Sequence, residues 1–307
     1  MIFQRTLKKP VSVAGVGLHS GQQIQLTLRP ASPNQGIHFV RTDLEGAPEV
    51  SAQHKNVINT QMATTLGIGK VTIGTVEHLM AALQILGVDN AVIEVDGPEV
   101  PIFDGSAHHF CEAIGAVGLE SQLQSRAFLA LKRKVELKIG EKWAVAEPCS
   151  RLEIYGSVDW EHPSIGYQEF HYVEGQTAVD ELSRARTFGF LRDYEALKKM
   201  GLARGGSLDT AVVMDDHAVL NPGGLRYKNE FARHKVLDAL GDFKLAGLSI
   251  QAFFRLHRAG HDLHSQLLTA IFRDSDNFEI IESSFKEEPR PLRIHASASR
   301  RGVLASY

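Results

Sequence analysis

The stretch Glu230-Phe-Ala-Arg-His-Lys-Val-Leu-Asp-Ala-Leu-Gly-Asp242 decides how the rest of the chain is interpreted. His234, Asp238 and Asp242 recur every four residues, and on a helix of 3.6 residues per turn they fall on one strip. Apolar residues occupy roughly the opposite side, so one face can enter a core while the other presents an imidazole and two carboxylates. A histidine and an aspartate one turn apart can ligate a metal ion, but this pattern alone is more typical of a solvated polar face.

Length and composition are those of a soluble globular protein with room for two cores. The chain has 307 residues, of which 43% are hydrophobic and 22% charged, and its formal net charge is −3. No block of one charge sign favours nucleic-acid binding, and no apolar run reaches the ~20 residues that span a bilayer. Cys111 and Cys149 lie far apart, which favours free thiols in a reducing compartment, the cytoplasm. Any metal site must therefore use His, Asp or Glu.

A second histidine-bearing helix is predicted in the first half of the chain. Residues 75–86 are amphipathic, with Thr75 as the expected N-cap and Gly87 as the expected C-terminal stop. His78 lies roughly opposite the apolar stripe and by itself could equally be a surface histidine. Glu77 lies in the first turn, where the helix dipole favours a negative charge, and this explanation needs no catalytic role.

The two halves of the chain follow the same order of elements. Strands lead to a histidine-bearing helix, then to a strand, a loop that ends in glycine, and a helix. This order predicts an α+β fold of two domains with similar topology, each a mainly antiparallel sheet layered with two helices. If the helices face each other at the domain interface, His78 and His234 converge there, where ligand sites often lie.

The predicted domain limits follow from composition. The first domain is expected at residues 1–125, with a hairpin insert near 60–73. The second is expected at 126–280, with an insert near 190–214. Residues 281–307 form a basic tail with little pattern, expected to be loosely attached.

Convergence of the two helices assembles a candidate metal site from His78, His234 and Asp238. A catalytic zinc commonly has three such protein ligands and keeps a fourth position for water, whose pKa it lowers to about 7. Glu77 adjoins one ligand and could accept a proton as general base. This convergence is assumed from the spacing of the residues and is not shown by it.

Other polar residues complete the chemistry of a metal-assisted hydrolysis of an amide or ester. His261 opens a predicted helix and could donate a proton or stabilise an oxyanion, with Asp242 holding it in its charged form. Thr187 could donate a hydrogen bond to the oxyanion. Lys235 and Arg258 would supply positive charge for an anionic substrate.

Seven short segments follow one another along the chain: Gly15-Val-Gly-Leu-His-Ser-Gly21, Thr75-Val-Glu-His-Leu79, Pro98-Glu-Val-Pro-Ile-Phe-Asp-Gly-Ser106, Ser183-Arg-Ala-Arg-Thr-Phe-Gly-Phe190, Gly205-Gly-Ser-Leu-Asp209, Arg233-His-Lys-Val-Leu-Asp238 and Gly260-His261. Each segment alone is a weak signal, but all seven in this order are highly specific. Over nearly its whole length the chain resembles the UDP-3-O-acyl-N-acetylglucosamine deacetylase family, zinc amidases of lipid A biosynthesis in Gram-negative bacteria.

The resemblance implies a reaction, a cofactor and a substrate. The reaction is hydrolysis of the N-acetyl group of UDP-3-O-[(3R)-3-hydroxyacyl]-N-acetylglucosamine with release of acetate, the committed step of lipid A biosynthesis. The cofactor is one Zn²⁺ per chain, with Fe²⁺ as the alternative metal. The expected protein is a cytoplasmic monomer without nucleic-acid partner or membrane span, in transient proximity to the inner membrane.

The resemblance also assigns roles at the reacting centre. It implies that the three candidate ligands hold the zinc and that Glu77 is the general base. It implies His261 as the second acid/base or electrostatic group, supported by Asp242. It places Thr187 at the oxyanion and Lys235 beside the substrate.

The substrate contacts that the resemblance implies are spread over several segments, and the candidate residues are Phe188, Phe190, Arg258, Trp160, Met62, Leu191, Gly206 and His19. Phe188 is expected to pack on the hexosamine ring, Arg258 to lie near the diphosphate and Trp160 near the uracil. The two inserts are expected to form an apolar passage for the acyl chain, lined by Met62, Leu191 and Ala203.

Two alternatives stay open from the residues themselves. One is a metal-free hydro-lyase acting on an acyl thioester, with Glu77 and His261 as acid and base. The other is a non-catalytic sugar-nucleotide-binding protein whose His/Asp cluster is structural. Metal analysis together with an assay of acetate release distinguishes all three.

Overall fold

The computed structural model describes residues 2–282, so the predicted tail lies outside the described residues from position 283 onward. The helices of this part are α1 Glu77–Leu86, α2 His108–Val117, α3 Val179–Ser183, α4 Leu191–Lys199, α5 Glu230–Lys244 and α6 His261–Arg273. None of these helices is long and apolar enough to cross a bilayer.

The strands before residue 126 are β1 Phe3–Leu7, β2 Val11–Val16, β3 Gln23–Pro30, β4 Ile37–Arg41, β5 Glu49–Ser51, β6 Val57–Asn59, β7 Thr65–Ile68, β8 Val71–Ile73, β9 Ala91–Val95 and β10 Leu119–Ser125. A five-stranded sheet runs in the order β2-β3-β9-β4-β5 and is antiparallel except where β4 meets β9. β6, β7 and β8 form a small antiparallel sheet at the predicted hairpin insert, and β1 pairs with β10.

The strands after residue 126 are β11 Ala127–Leu131, β12 Val135–Ile139, β13 Lys142–Pro148, β14 Leu152–Trp160, β15 Gly166–Val173, β16 Phe188–Phe190, β17 Val212–Met214, β18 Ser249–His257 and β19 Phe278–Glu282. Seven of them form one mainly antiparallel sheet in which β18 joins β11, β13 and β14. β16 and β17 pair beside α4, at the second predicted insert. In residues 2–282, no sheet combines strands from both sides of Arg126.

The two sheets are layered with helices that face each other, so the α+β fold of two similar halves is confirmed. The central contact is between α1 and α5, and their apolar side chains join one core that extends into both halves. Leu83 of α1 and Leu240 and Phe243 of α5 are almost completely buried. Burial of such a side chain stabilises the fold by about 1.5–3 kcal/mol.

Gly241 permits the close crossing of these helices. A Cβ atom at this position would lie 2.0 Å from the backbone oxygen of Glu77, a separation that no side chain could occupy. The polar strip of α5 therefore faces another helix and not solvent, since His234, Asp238 and Asp242 are all buried. A polar face that resembled a solvated surface in the sequence is in fact an internal one.

The start of α1 differs from the expected N-cap at Thr75. The helix begins at Glu77, with Val76 at the cap position. Thr75 has a left-handed backbone (φ 55°), and its hydroxyl donates to Glu99 Oε1 at 2.7 Å instead of capping the helix. A left-handed non-glycine residue costs on the order of 1–3 kcal/mol, and such strain tends to lie near functional sites. The expected stop is confirmed, because Gly87 is left-handed (φ 70°) at the C-terminal end.

Candidate active site

His78 from α1 and His234 and Asp238 from α5 meet at the crossing of the two helices. Asp238 Oδ1 lies 3.1 Å from His234 Nε2 and 3.6 Å from His78 Nε2. Two ligands on one tetrahedral zinc, each about 2.1 Å from the metal, are roughly 3.4 Å apart, so these separations fit a shared cation. All three side chains are buried, and their ligand atoms lie within 4.8 Å of one another.

The hydrogen-bonding state of these three residues also fits a metal. Among residues 2–282, Asp238 Oδ1 is buried without a hydrogen-bond donor, an expensive arrangement for a carboxylate oxygen unless a cation binds it. His234 Nδ1 lies 3.1 Å from the carbonyl oxygen of Ala185, which can only accept. Nδ1 therefore carries the proton and the Nε2 lone pair faces Asp238, as in metal-binding histidines whose other ring nitrogen donates to a carbonyl oxygen. Burial lowers the pKa of His234 and keeps it neutral.

Glu77 lies beside this group. Its Oε2 accepts a hydrogen bond from the backbone N–H of Thr64 at 3.0 Å, and its Oε1 lies 3.9 Å from His261 Nε2. Burial raises the pKa of Glu77, which moves this carboxyl towards the basicity that a general base needs. The gap to His261 is too long for a direct hydrogen bond, so Oε1 is not paired with that imidazole.

His261 begins α6 and is tied to Asp242. His261 Nδ1 lies 2.8 Å from Asp242 Oδ2, and the same oxygen lies 2.8 Å from Nδ1 of His264. Asp242 Oδ1 accepts from the hydroxyl of Thr64 at 2.6 Å. Burial alone would lower the pKa of His261, but Asp242 and Glu77 outweigh it and raise that pKa to about 9. His261 is thus a cation at neutral pH.

Thr187 is held by two neighbouring segments. Its backbone N–H donates to the carbonyl of Gly105 at 2.7 Å. Gly105 has a left-handed backbone (φ 85°), and a Cβ there would lie 2.4 Å from the carbonyl oxygen of Thr210, so only glycine fits. On the other side, Arg186 forms a buried ion pair with Glu230 at 2.8 Å, which ties the segment to the start of α5.

Lys235 lies at the edge of the same group. Its ammonium donates to Asp238 Oδ2 at 2.8 Å and lies 5.4 Å from the centre of the Phe188 ring. Burial alone raises the pKa of Asp238, but His234 and Lys235 outweigh it and hold that pKa well below the usual value. Asp238 is therefore an anion whose second oxygen is already paired, leaving Oδ1 for a cation.

A cavity of about 490 Å³ opens above these residues and is mainly apolar. The site residues that line it are Glu77, His78, Thr187, Lys235, Asp238 and His261. Predicted substrate contacts that line it are His19, Met62, Phe188, Phe190, Leu191, Ala203 and Gly206. Residues of both predicted inserts line the cavity, and a largely apolar cleft with a few polar groups is typical of a ligand site.

Two predicted substrate residues do not line this cavity. Trp160 packs edge-to-face on Phe188, with ring centres 5.6 Å apart. Arg258 forms an ion pair with Glu141 at 2.7 Å. Contacts of these two residues with a uracil or a diphosphate therefore stay predictions.

His19 enters the cavity from the glycine-rich turn. Its Nδ1 accepts from the backbone N–H of Ala203 at 3.3 Å, so in the neutral ring the proton is on Nε2. Burial lowers the pKa of His19, and Nε2 has no partner in the described part of the chain. Glu99 fixes the turn, because its carboxylate accepts from the backbone N–H groups of His19 and Ser20. His19 thus presents a free donor to a ligand.

Sequence reasoning missed His264, Thr64, Glu99 and Gly241. His264 follows His261 by three residues, so helical spacing could have placed both on one face. Gly241 lies inside a helix, where glycine is costly and so suggests a packing reason. Thr64 and Glu99 carried no local signal, since their partners are distant in the chain.

A buried His/His/Asp group with an adjacent glutamate beneath a largely apolar cavity is typical of hydrolases that use a metal ion. A family profile described as "LpxC: UDP-3-O-acyl N-acetylglycosamine deacetylase" matches residues 4–273. The chain belongs to this family.

Proteins named UDP-3-O-acyl-N-acetylglucosamine deacetylase resemble the chain over almost their full length. The protein from Shewanella loihica is 45% identical over 309 residues, covering 99% of this chain and 100% of the relative. The protein from Myxococcus xanthus is 47% identical over 285 residues, covering 92% and 91%. The protein from Acidithiobacillus ferrooxidans is 44% identical over 292 residues, covering 94% and 96%.

Proposed function

We propose that this chain hydrolyses the acetamide of UDP-3-O-acyl-N-acetylglucosamine to the free amine and acetate, in the cytoplasmic biosynthesis of lipid A. We further propose zinc, with Fe²⁺ as the alternative, as the metal held by His78, His234 and Asp238. The observation that carries the proposal is the buried Asp238 Oδ1, which faces two imidazoles and lacks a donor among the described residues. The names of the full-length relatives supply the substrate.

Glu77 is the proposed general base. When bound, the divalent cation supplies Lewis acidity that activates water and polarises a carbonyl oxygen. Glu77 lines the same cavity as His78 and Asp238, and its Oε1 accepts the proton of the attacking water. The hydrogen bond from Thr64 N to Oε2 keeps this carboxylate oriented.

Thr187 and His261 are proposed to serve the tetrahedral intermediate and its collapse. Thr187 lines the cavity, and its hydroxyl is proposed to donate to the developing oxyanion. His261 is protonated at neutral pH and donates from Nε2 to the leaving amine nitrogen. Asp242 holds the imidazole through Nδ1 and stabilises its positive charge.

The substrate is proposed to lie across the two halves, which we place at residues 1–125 and 126–280. The acyl chain follows the apolar lining at Met62, Leu191 and Ala203, and the hexosamine ring packs on Phe188. The free Nε2–H of His19 donates to a polar group of the sugar or acyl chain. Closure of both inserts over the ligand would exclude water from the reacting centre.

The test is acetate release from the UDP-sugar, paired with metal analysis of the same preparation. One metal ion per chain and activity that a chelator removes are expected. Glu77→Gln should keep the metal and lose about 10²–10⁴-fold in rate, since it can no longer accept a proton. Full acetate release without metal would overturn the metal-assisted reaction. Metal-independent dehydration of an acyl thioester would favour the hydro-lyase alternative, and substrate binding without turnover would favour the non-catalytic one.

A further inference from the structure

A second cavity of about 330 Å³ shares no lining residue with the candidate active site. It lies where the two halves meet at the far end of α5. Lys244, the last residue of α5, Ser249, the first residue of β18, and Arg126 line it from one half. Asp89 and Asn90, which follow α1, line it from the other.

Lys244 is a largely buried cation that only longer-range attraction to Asp89 and Glu174 balances. It is only 6% exposed, and within residues 2–282 its ammonium makes no hydrogen bond and no ion pair. Burial lowers the pKa of Lys244, as expected for a charge removed from water. Buried charges in proteins are normally paired, because an isolated ammonium is costly to desolvate.

Ser249 is a second unpartnered polar side chain on the same wall. It is 4% exposed, lines the cavity, and its hydroxyl makes no hydrogen bond to the described residues. A hydroxyl can donate to an anion beside an ammonium. Two polar side chains, each more than nine-tenths buried, thus line one cavity without protein partners.

The carboxylates near Lys244 are occupied. Asp89 Oδ2 accepts from Arg126 Nη2 and from the backbone N–H of Arg5, both at 2.7 Å. Glu174 accepts from the side-chain amide of Gln84 at 3.1 Å, and burial raises the pKa of this carboxyl.

The charge around the cavity is therefore positive. Among the lining residues, Arg126 and Lys244 contribute two cations and Asp89 contributes one carboxylate. Five neutral amide side chains also line it. Such a wall offers hydrogen bonds to a polar anion.

We propose that this second cavity binds a small oxyanion, a phosphate or carboxylate group, through the ammonium of Lys244 and the hydroxyl of Ser249. A volume of about 330 Å³ is at the low end for organic ligands, so it accommodates an inorganic anion or a small anionic metabolite. The bound anion supplies a counter-charge in direct contact with Lys244, which Asp89 and Glu174 act on only from a distance. Because the lining comes from both halves, the anion also stabilises their contact.

The experiment is a titration of the metal-loaded, full-length protein with inorganic phosphate at constant ionic strength, followed by calorimetry. Lys244→Met removes the charge and keeps the length of the side chain, and it should lose one saturable site or weaken it at least tenfold. The matched control Lys138→Met removes an exposed lysine of β12 outside both cavities and should bind as the parent does. Ser249→Ala tests the hydroxyl by a smaller substitution and should weaken the same site.

Thermal unfolding gives the second readout. An anion that binds only the folded state raises the unfolding midpoint, and the stabilisation grows with the logarithm of one plus the ratio of free anion to Kd; this rise should be absent in Lys244→Met. A second titration with acetate in place of phosphate distinguishes a carboxylate site from a phosphate site. The anion that the site prefers gives the larger Lys244-dependent rise in the unfolding midpoint. Equal site number, affinity and midpoint shift in the parent and Lys244→Met would overturn the proposal, as would the absence of any saturable site.

Discussion

Two His/Asp clusters are each built around an aspartate of α5, and these aspartates lie one helical turn apart. The clusters contain the same residue types, but their carboxylates differ in hydrogen bonding. In the first cluster, formed by His78, His234 and Asp238, the oxygen Oδ1 of Asp238 has no donor among the described residues. In the second, formed by Asp242, His261 and His264, the carboxylate receives three donors. Both could hold a metal ion by residue type and proximity alone.

The difference shows that the number of donors around each carboxylate distinguishes a metal ligand from an orienting anion, whereas residue type does not. A buried carboxylate oxygen that lacks a hydrogen-bond donor can bind a cation. A carboxylate that is saturated by N–H and O–H groups is instead an orienting anion, which keeps one imidazole positioned and charged. The following predictions test this contrast, beginning with the largest effect.

Removal of the Asp238 carboxylate should abolish metal binding by the first cluster. Asp238→Ala leaves two imidazoles, one fewer than the three protein ligands of a catalytic zinc site, so we expect loss of stoichiometric metal and activity below detection. Elemental analysis and acetate release measure both. Stoichiometric metal retained by Asp238→Ala would contradict the assignment of this residue as a ligand.

Neutralisation of Asp242 should leave the metal in place and slow the reaction. In Asp242→Asn the imidazole of His261 loses its anionic partner, and we expect a loss of about 10²-fold or more in kcat. Unchanged metal content is the control that separates this cluster from the first. Loss of metal in Asp242→Asn would show that the two clusters act as one site.

The same substitution should shift the pH dependence. His261 donates only when protonated, so its contribution is present below a pKa of about 9 and lost as pH rises through that value. Without the Asp242 charge the pKa of His261 falls, and the alkaline limb of kcat/KM should move to lower pH. An alkaline limb at the same pH in both proteins would assign it to another group.

His264 should act as a positioning residue for Asp242. Its Nδ1 donates to Asp242, its ring is fully buried, and burial lowers its pKa, so it is a neutral donor. His264→Leu removes the donor, and we expect a loss of roughly tenfold in kcat with unchanged KM and metal content, as for other outer-shell partners. His264→Asn keeps an N–H donor and should recover most of the rate; equal losses in both variants would indicate packing alone.

Thr64 should give the smallest effect on activity. Thr64→Val removes the hydroxyl that donates to Asp242 Oδ1 and keeps the shape and the backbone N–H bond to Glu77. A hydrogen bond to a charged group contributes about 1.5–3 kcal/mol, so denaturant unfolding should show a loss of this size. The rate should fall less than tenfold. Thr269→Val, at an exposed position of α6, is the matched control.

The features of the site that could be predicted from the sequence are those set by residues close together in the chain. The spacing of His234, Asp238 and Asp242 is a local property of a helix, so the sequence determined that they share a face. The order of elements in each half likewise determined the α+β architecture, since hydrophobic periodicity is local. The seven ordered segments determined the family before any distance was known.

Tertiary structure alone decided what each polar residue does. Gly241 lets α1 approach α5, and only this crossing brings Glu77 and His78 to Asp238 and makes the polar strip internal. Asp242 gained three donors from distant segments and Asp238 kept one oxygen free, although both lie on the same strip of the same helix. The physical reason is that helical periodicity is set by neighbours along the chain, whereas desolvation and hydrogen-bond partners are set by whatever packs against them.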